Sequence, residues 1–245
     1  MTFLHSAAGL LSALFLIAPI HAQLVEPVIQ EQVQEMVQPQ QSEDWRLLLV
    51  NQWNAMPEAY EVELKQISQG LFVDARIYDD LRSMLAACRK DGLRPLVCSA
   101  HRSVETQTRL HNNKIARLLA EGYTQDAALE EARRWVAVPG TSEHHTGMAV
   151  DIVATSYQKL TQQQEKTAEQ KWLMAHCWEY GFILRYPTDK SEVTGIGYEP
   201  WHYRYVGREA AMAMRDSGLC LEEYVRFLAA AEEEIAETTP QEEVS

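Results

Sequence analysis

Gly147-Met148-Ala149-Val150-Asp151-Ile152-Val153-Ala154 is the stretch on which the fold turns. In an extended chain Met148, Val150 and Ile152 point to one face, and Ala149, Asp151 and Val153 to the other. Both faces are apolar apart from one carboxylate, the pattern of a strand in the middle of a sheet. An ionised carboxylate there is costly unless a metal or a cation compensates it. Gly147, just ahead, permits a positive φ or a close backbone approach.

Working outward, Ser142-Glu143-His144-His145-Thr146 places a histidine seven positions before Asp151, and Glu199-Pro200-Trp201-His202 supplies another. Two imidazoles and one carboxylate suffice to hold a catalytic zinc whose fourth position stays open for water. Glu199, three residues before His202, is a spare carboxylate able to take a proton from that water. Each residue alone has an ordinary reading: an aspartate at a strand end, a satisfied histidine, an aromatic edge strand. Together they point to metal-dependent hydrolysis. In a plain strand residues 199 and 202 would face opposite sides, so the pattern predicts a bend or bulge near Pro200.

These residues resemble the VanY-type D-alanyl-D-alanine carboxypeptidases, zinc peptidases of bacterial cell walls. The family pattern Ser-x-His-x-x-Gly-x-Ala-x-Asp is met by Ser142, His144, Gly147, Ala149 and Asp151, and Glu-x-Trp-His by Glu199, Trp201 and His202. A third motif appears as Ala100-His101-Arg102-Ser103 followed by Gln107, with His101 where the family usually has tyrosine. The resemblance covers roughly residues 45–217. It implies one zinc per chain on His144, Asp151 and His202, with Glu199 as general base. It also implies that Arg102 polarises the scissile carbonyl or binds substrate, a role suited to a fixed guanidinium facing a developing oxyanion. Ser142 and Gln107 are candidates for hydrogen bonds to a substrate amide or carboxylate. The implied substrates are peptidoglycan stem peptides cut at the terminal D-Ala-D-Ala bond. An L,D-carboxypeptidase or endopeptidase of the same fold is the alternative. A zinc-stabilised wall-binding module is a third reading, though it would have no need of Glu199 or Arg102.

At 245 residues the chain can build one substantial domain with modest extensions. A net charge of −13 and no basic run argue against nucleic acid as a partner. Residues 1–22 read as a signal peptide, with an apolar run over 3–20 and Ile20-His21-Ala22 behind it. No Lys or Arg precedes that run, so a retained amino-terminal membrane anchor is the alternative. Residues 23–43, rich in Gln, Glu, Val and Pro, suit a disordered linker. The catalytic domain is expected over 44–231 and a flexible acidic tail over 232–245. The expected protein is an exported monomer acting in the periplasm or on the outer, cell-wall side.

Within the domain, helical spacing predicts helices over 74–90, from Ser103 to Glu121, from Thr124 to about Trp135, from Thr167 to Tyr180, over 210–217 and over 221–231. Strands are expected over 96–99, 148–154 and 182–186 and through the 199–205 motif. The fold class is α+β: a small, mainly antiparallel sheet flanked by helices with a zinc cleft beside it, as in the Hedgehog/D,D-peptidase type that the resemblance implies. Cys88, Cys98, Cys177 and Cys220 can pair in an exported chain or stay as buried thiols. None has the spacing of a structural zinc site.

Overall fold

The structure is a computed structural model that describes residues 44–238. The signal or anchor segment 1–22, the linker 23–43 and the end of the acidic tail lie outside the described residues.

β1 (Leu64–Ser68) and β2 (Leu71–Asp74) form an antiparallel hairpin. The Asp74 side chain accepts from the Arg76 N–H at 2.8 Å and starts a 3-10 turn that runs into α1 (Tyr78–Lys90). Leu81, Met84, Leu85 and Cys88 recur at helical spacing and are buried. After β3 (Pro95–Ser99) come α2 (Val104–Ala120) and α3 (Gln125–Arg133), capped by the hydroxyls of Ser103 and Thr124. A 3-10 turn, Glu143–Thr146, leads into β4 (Ala149–Ala154). α4 (Ala168–His176), capped by Thr167, continues as a 3-10 turn to Tyr180. β5 (Phe182–Leu184), the short α5 (Ser191–Thr194), β6 (His202–Tyr205), α6 (Arg208–Ser217) and α7 (Leu221–Thr238) follow.

The main sheet has the order β3-β4-β6-β5, with every pair antiparallel. β4 is therefore an inner strand, and all six of its residues are buried, as its apolar faces require. One sheet face carries Val97, Val150, Ile152, Phe182 and Tyr203 against Leu81, Met84 and Leu85 of α1 and Leu173 of α4. Each such side chain contributes about 1.5–3 kcal/mol on burial. A second cluster joins Ile183 and Val206 to Ala211, Met214, Leu221 and Val225 of α6 and α7.

Most elements shift by only a few residues at their ends, but one boundary and one element differ more from expectation. α7 runs past Ala231 to Thr238, so part of the segment expected to be a flexible tail is helix. Glu232-Glu233-Glu234-Ile235-Ala236 is acidic, but Glu and Ala are good helix formers. The β1–β2 hairpin was not expected, because β1 is mostly exposed and shows little hydrophobic alternation. All four cysteines are free thiols, buried at Cys88, Cys177 and Cys220 and exposed at Cys98. Among the described residues no helix is long and apolar enough to cross a membrane.

Candidate metal centre and active site

The sheet register assembles the site. Asp151 on β4 lies directly opposite His202 on β6 and opposite Ser99 on β3. His144 arrives from the 3-10 turn before β4, and the turn closes on Gly147 at φ +74°. The Asp74 N–H donates to the Gly147 carbonyl at 3.0 Å. A Cβ on Gly147 would lie 2.7 Å from that nitrogen, so the position needs glycine for both its φ and its space. The bend expected at Pro200 is a turn: the His202 N–H donates to the Glu199 carbonyl at 3.1 Å, which brings both side chains to one side. Ligand atoms of His144, Asp151 and His202 all lie within 4.8 Å of one another.

Hydrogen bonds fix the imidazole tautomers. His144 Nδ1 is 2.7 Å from the Ala100 carbonyl, which can only accept, so Nε2 of the neutral ring presents a lone pair to the site. Burial, with the Arg102 guanidinium beside it, lowers the His144 pKa to about 4, which keeps that ring neutral. His202 Nε2 donates to Glu143 Oε2 at 3.4 Å, leaving Nδ1 turned to Asp151 Oδ1 at 3.1 Å and Glu199 Oε2 at 3.8 Å. Burial works against charge on His202, but its hydrogen bonds to Asp151 and Glu143 raise its pKa to about 9. Asp151 is held well below the usual carboxylate range: burial opposes ionisation, and the charged His202 and Arg102 bonded to it outweigh that cost. Two imidazole nitrogens and a carboxylate, each oriented by a second partner, suit a divalent metal such as zinc.

Glu199 is buried beside this set, outside the trio but with Oε2 3.8 Å from His202 Nδ1. Burial first, then the Asp151 charge, push its pKa up to about 8 against the pull of His202 and Arg102. Such a carboxyl can hold or release a proton near neutrality. Arg102 is fixed along its length. Its Nε donates to Ser99 Oγ at 2.9 Å and Nη1 to Gln107 Oε1 at 3.0 Å. Its Nη2 donates to Asp151 Oδ2 at 2.8 Å and to His144 Nε2 at 2.6 Å. Gln107 is engaged at both ends, since its amide also donates to the Ala137 carbonyl at 2.8 Å, so it serves to hold Arg102. His145 Nδ1 donates to the Arg102 carbonyl at 2.8 Å. Ser142 is buried on the cleft wall, and its hydroxyl makes no bond among the described residues. His101 is half-buried and is tied to β2 by its backbone, with its N–H 2.8 Å from the Phe72 carbonyl.

Sequence reasoning missed Glu143. Its Oε1 accepts from Arg185 Nε at 2.8 Å and from Arg204 Nη1 at 2.7 Å, while Oε2 faces His202. Arg185 also makes a paired contact with Glu222 of α7, at 2.8 and 2.6 Å. Burial alone would raise the Glu143 pKa, but the two guanidinium groups hold it well below the carboxylate range. These partners lie 42 and 61 residues away in sequence, so no local pattern could have announced them.

A cleft of about 630 Å³ opens over the site. Its walls include Trp135, Tyr186 and Trp201, and it continues along α2 past Leu110 to Lys114 and Arg117. Residues 70–208 match the VanY family, D-alanyl-D-alanine carboxypeptidase. The chain belongs to this family.

A D-alanyl-D-alanine carboxypeptidase of Enterococcus faecalis is 46% identical over 183 residues, which is 75% of this chain and 66% of that relative. The chain thus spans about two thirds of the length of the curated relatives it matches. VanYB in complex with D-alanine-D-alanine superposes at a TM-score of 0.70 with 46% identity, over 75% of this chain and 98% of that one. A VanY D,D-pentapeptidase variant from a VanB-type vancomycin-resistance cassette, in complex with Zn(II), gives 0.69 and 46%, over 74% and 99%. The LdcB LD-carboxypeptidase is more distant, at 0.63 and 34% identity over 74% and 86%. The expected α+β fold is thus the fold of VanY structures.

Proposed function

We propose that this VanY-family protein is a zinc-dependent D-alanyl-D-alanine carboxypeptidase that removes the terminal D-alanine from peptidoglycan stem peptides outside the cytoplasm. The observation that carries this reading is the convergence of His144, Asp151 and His202 beside a buried, non-ligand Glu199 with a raised pKa. VanY relatives with a zinc complex and a D-alanine-D-alanine complex support the metal and the substrate class.

His144 through Nε2, His202 through Nδ1 and Asp151 through its carboxylate would hold one zinc per chain. Zinc so held lowers the pKa of bound water toward neutrality and polarises a carbonyl. Glu199 accepts the proton of the attacking water and returns it to the departing D-alanine amine. Arg102, held by Ser99 and Gln107, meets the negative charge that develops on the carbonyl oxygen. Gln107 acts on substrate through Arg102, and Ser142 offers its free hydroxyl to the peptide. Residues 1–22 direct export, or remain as an anchor, and 23–43 tether a monomeric catalytic domain.

Purified protein should carry about one zinc per chain, and His144→Ala, Asp151→Ala and His202→Ala should each lose most of it. Full occupancy in all three variants would overturn the ligand assignment. Incubation with pentapeptide and tetrapeptide stems, read by mass spectrometry, should release D-alanine from the pentapeptide. Release from the tetrapeptide alone would install the L,D-carboxypeptidase reading, and binding without release would install the wall-binding module.

A further inference from the structure

We infer that Lys114 and Arg117, on the cleft face of α2, form a subsite for a carboxylate that the substrate peptide carries about three residues amino-terminal to the bond that is cut. The inference rests on the carboxypeptidase reading above and adds a recognition element distant from the metal.

The spacing of Gln107, Leu110, Lys114 and Arg117 keeps all four on one side of the helix, and all four line the cleft. The flank of α2 next to this face is fixed, because Leu118 and Ile115 pack against Ala128 and Ala132 of α3. The cationic side therefore cannot roll away from the cleft. Gln107 marks the reactive end, since it holds Arg102 at 3.0 Å. A helix rise of 1.5 Å per residue places Lys114 about 10 Å and Arg117 about 15 Å further along the axis. An extended peptide advances about 3.3–3.6 Å per residue, and both side chains can lean back along their apolar stems. A carboxylate about three residues before the cut bond falls within their reach.

The charge pattern favours that occupant. The carboxylates lining the cleft, Asp151 and Glu199, both sit at the metal end, and Asp151 is paired with Arg102. Neither Lys114 nor Arg117 has a carboxylate partner among the described residues, although the chain carries a net charge of −13. A carboxylate repelled by the protein as a whole meets two unpaired cations here, one of them a guanidinium able to bind it with two hydrogen bonds.

The test uses two pentapeptides ending in D-Ala-D-Ala that differ only at the second residue, as a free glutamate carboxylate or as its carboxamide. The parent protein should favour the carboxylate peptide by about three- to tenfold in KM, with kcat equal, and lose the preference at high salt. Lys114→Gln/Arg117→Gln should abolish the preference and leave turnover of the carboxamide peptide unchanged. Lys114→Glu/Arg117→Glu should reverse it. Equilibrium binding of both peptides to the chelated protein, followed by tryptophan fluorescence, supplies a readout free of turnover. Carboxylate preference in binding without turnover would keep the subsite and remove the carboxypeptidase reading. Turnover with equal handling of both peptides, or a preference that survives in the double glutamine variant, would overturn the subsite.

Discussion

Glu199 and His202 are three residues apart, and the turn at Pro200 brings the carboxyl and the imidazole to the same side, 3.8 Å apart. Glu199→Gln keeps shape and hydrogen-bonding reach but cannot accept a proton, so kcat should fall about 10²- to 10⁴-fold while zinc content is retained. Near-normal turnover would remove Glu199 from the mechanism, and loss of zinc would make it a ligand. The same pair predicts a pH dependence in the chelated protein. Glu199 is raised from 4.5 to about 8 and His202 from 6.5 to about 9, so the folded chain binds both protons more tightly than the unfolded one. Their contribution to stability is complete below 4.5 and 6.5 respectively, and is lost as pH rises through 8 and 9. The melting temperature should therefore decline across that window, and Glu199→Gln should flatten the decline. A rise with pH would contradict both shifts. Asp151 and Glu143 have the opposite sign, and their contribution is lost only in acid. At this scale the candidate ligand triplet was legible because its residue types break an apolar pattern. Glu143 was not, because a carboxylate in a turn reads as solvated until its distant arginines are known.

Among the elements, the helices declared themselves through local chemistry. Ser103, Thr124 and Thr167 each accept a bond from the N–H three residues on, as cap patterns require. Thr167 and Gln170 have the spacing of a capping box, of which only the Thr167 half forms. Gln170 turns inward, donating to the Ile152 carbonyl and accepting from Tyr203 Oη at 2.7 Å, so tertiary partners override the local one. β4 was legible from its two apolar faces, whereas the exposed β1–β2 hairpin was not. Gly147 ties these two regions together. Gly147→Ala should lose about 1–2 kcal/mol from its positive φ alone, and more from the approach to the Asp74 nitrogen. Gly92→Ala, at φ +82° with nothing within 4 Å, should show only the conformational part. Chemical denaturation and zinc content would separate them: Gly147→Ala should weaken both, and equal effects of the two substitutions would discount the close contact.

At the scale of the whole molecule, a buried chain of charge runs from α7 to the candidate metal ligands: Glu222, Arg185, Glu143, His202. Arg204 joins it at Glu143 and also donates to the Leu48 carbonyl at 2.8 Å, bringing in the start of the domain. Glu222→Ala leaves Arg185 short of a partner in the interior and should cost about 3–5 kcal/mol. By loosening Glu143 it should also weaken zinc binding by about tenfold or more. Glu233→Ala, exposed on the same helix, should stay within about 0.5 kcal/mol of the parent. Unfolding curves and zinc titrations of the two variants check this, and an unaffected zinc affinity in Glu222→Ala would confine the network to stability.

Asp151 and His202 are partners across a single rung of the sheet, so the length of chain between them is immaterial to how they meet. The loop over 187–198 can grow, shrink or be exchanged, reshaping the cleft wall at Ile196 without disturbing the ligand set, whereas α4, β5 and Arg185 in the same interval are held by the core and by Glu143. One residue inserted between Gly147 and Asp151 has the opposite effect, because it turns every side chain beyond it to the other face. Descendants of such a chain therefore have wide latitude to acquire new peptide preferences and almost none to relocate the metal.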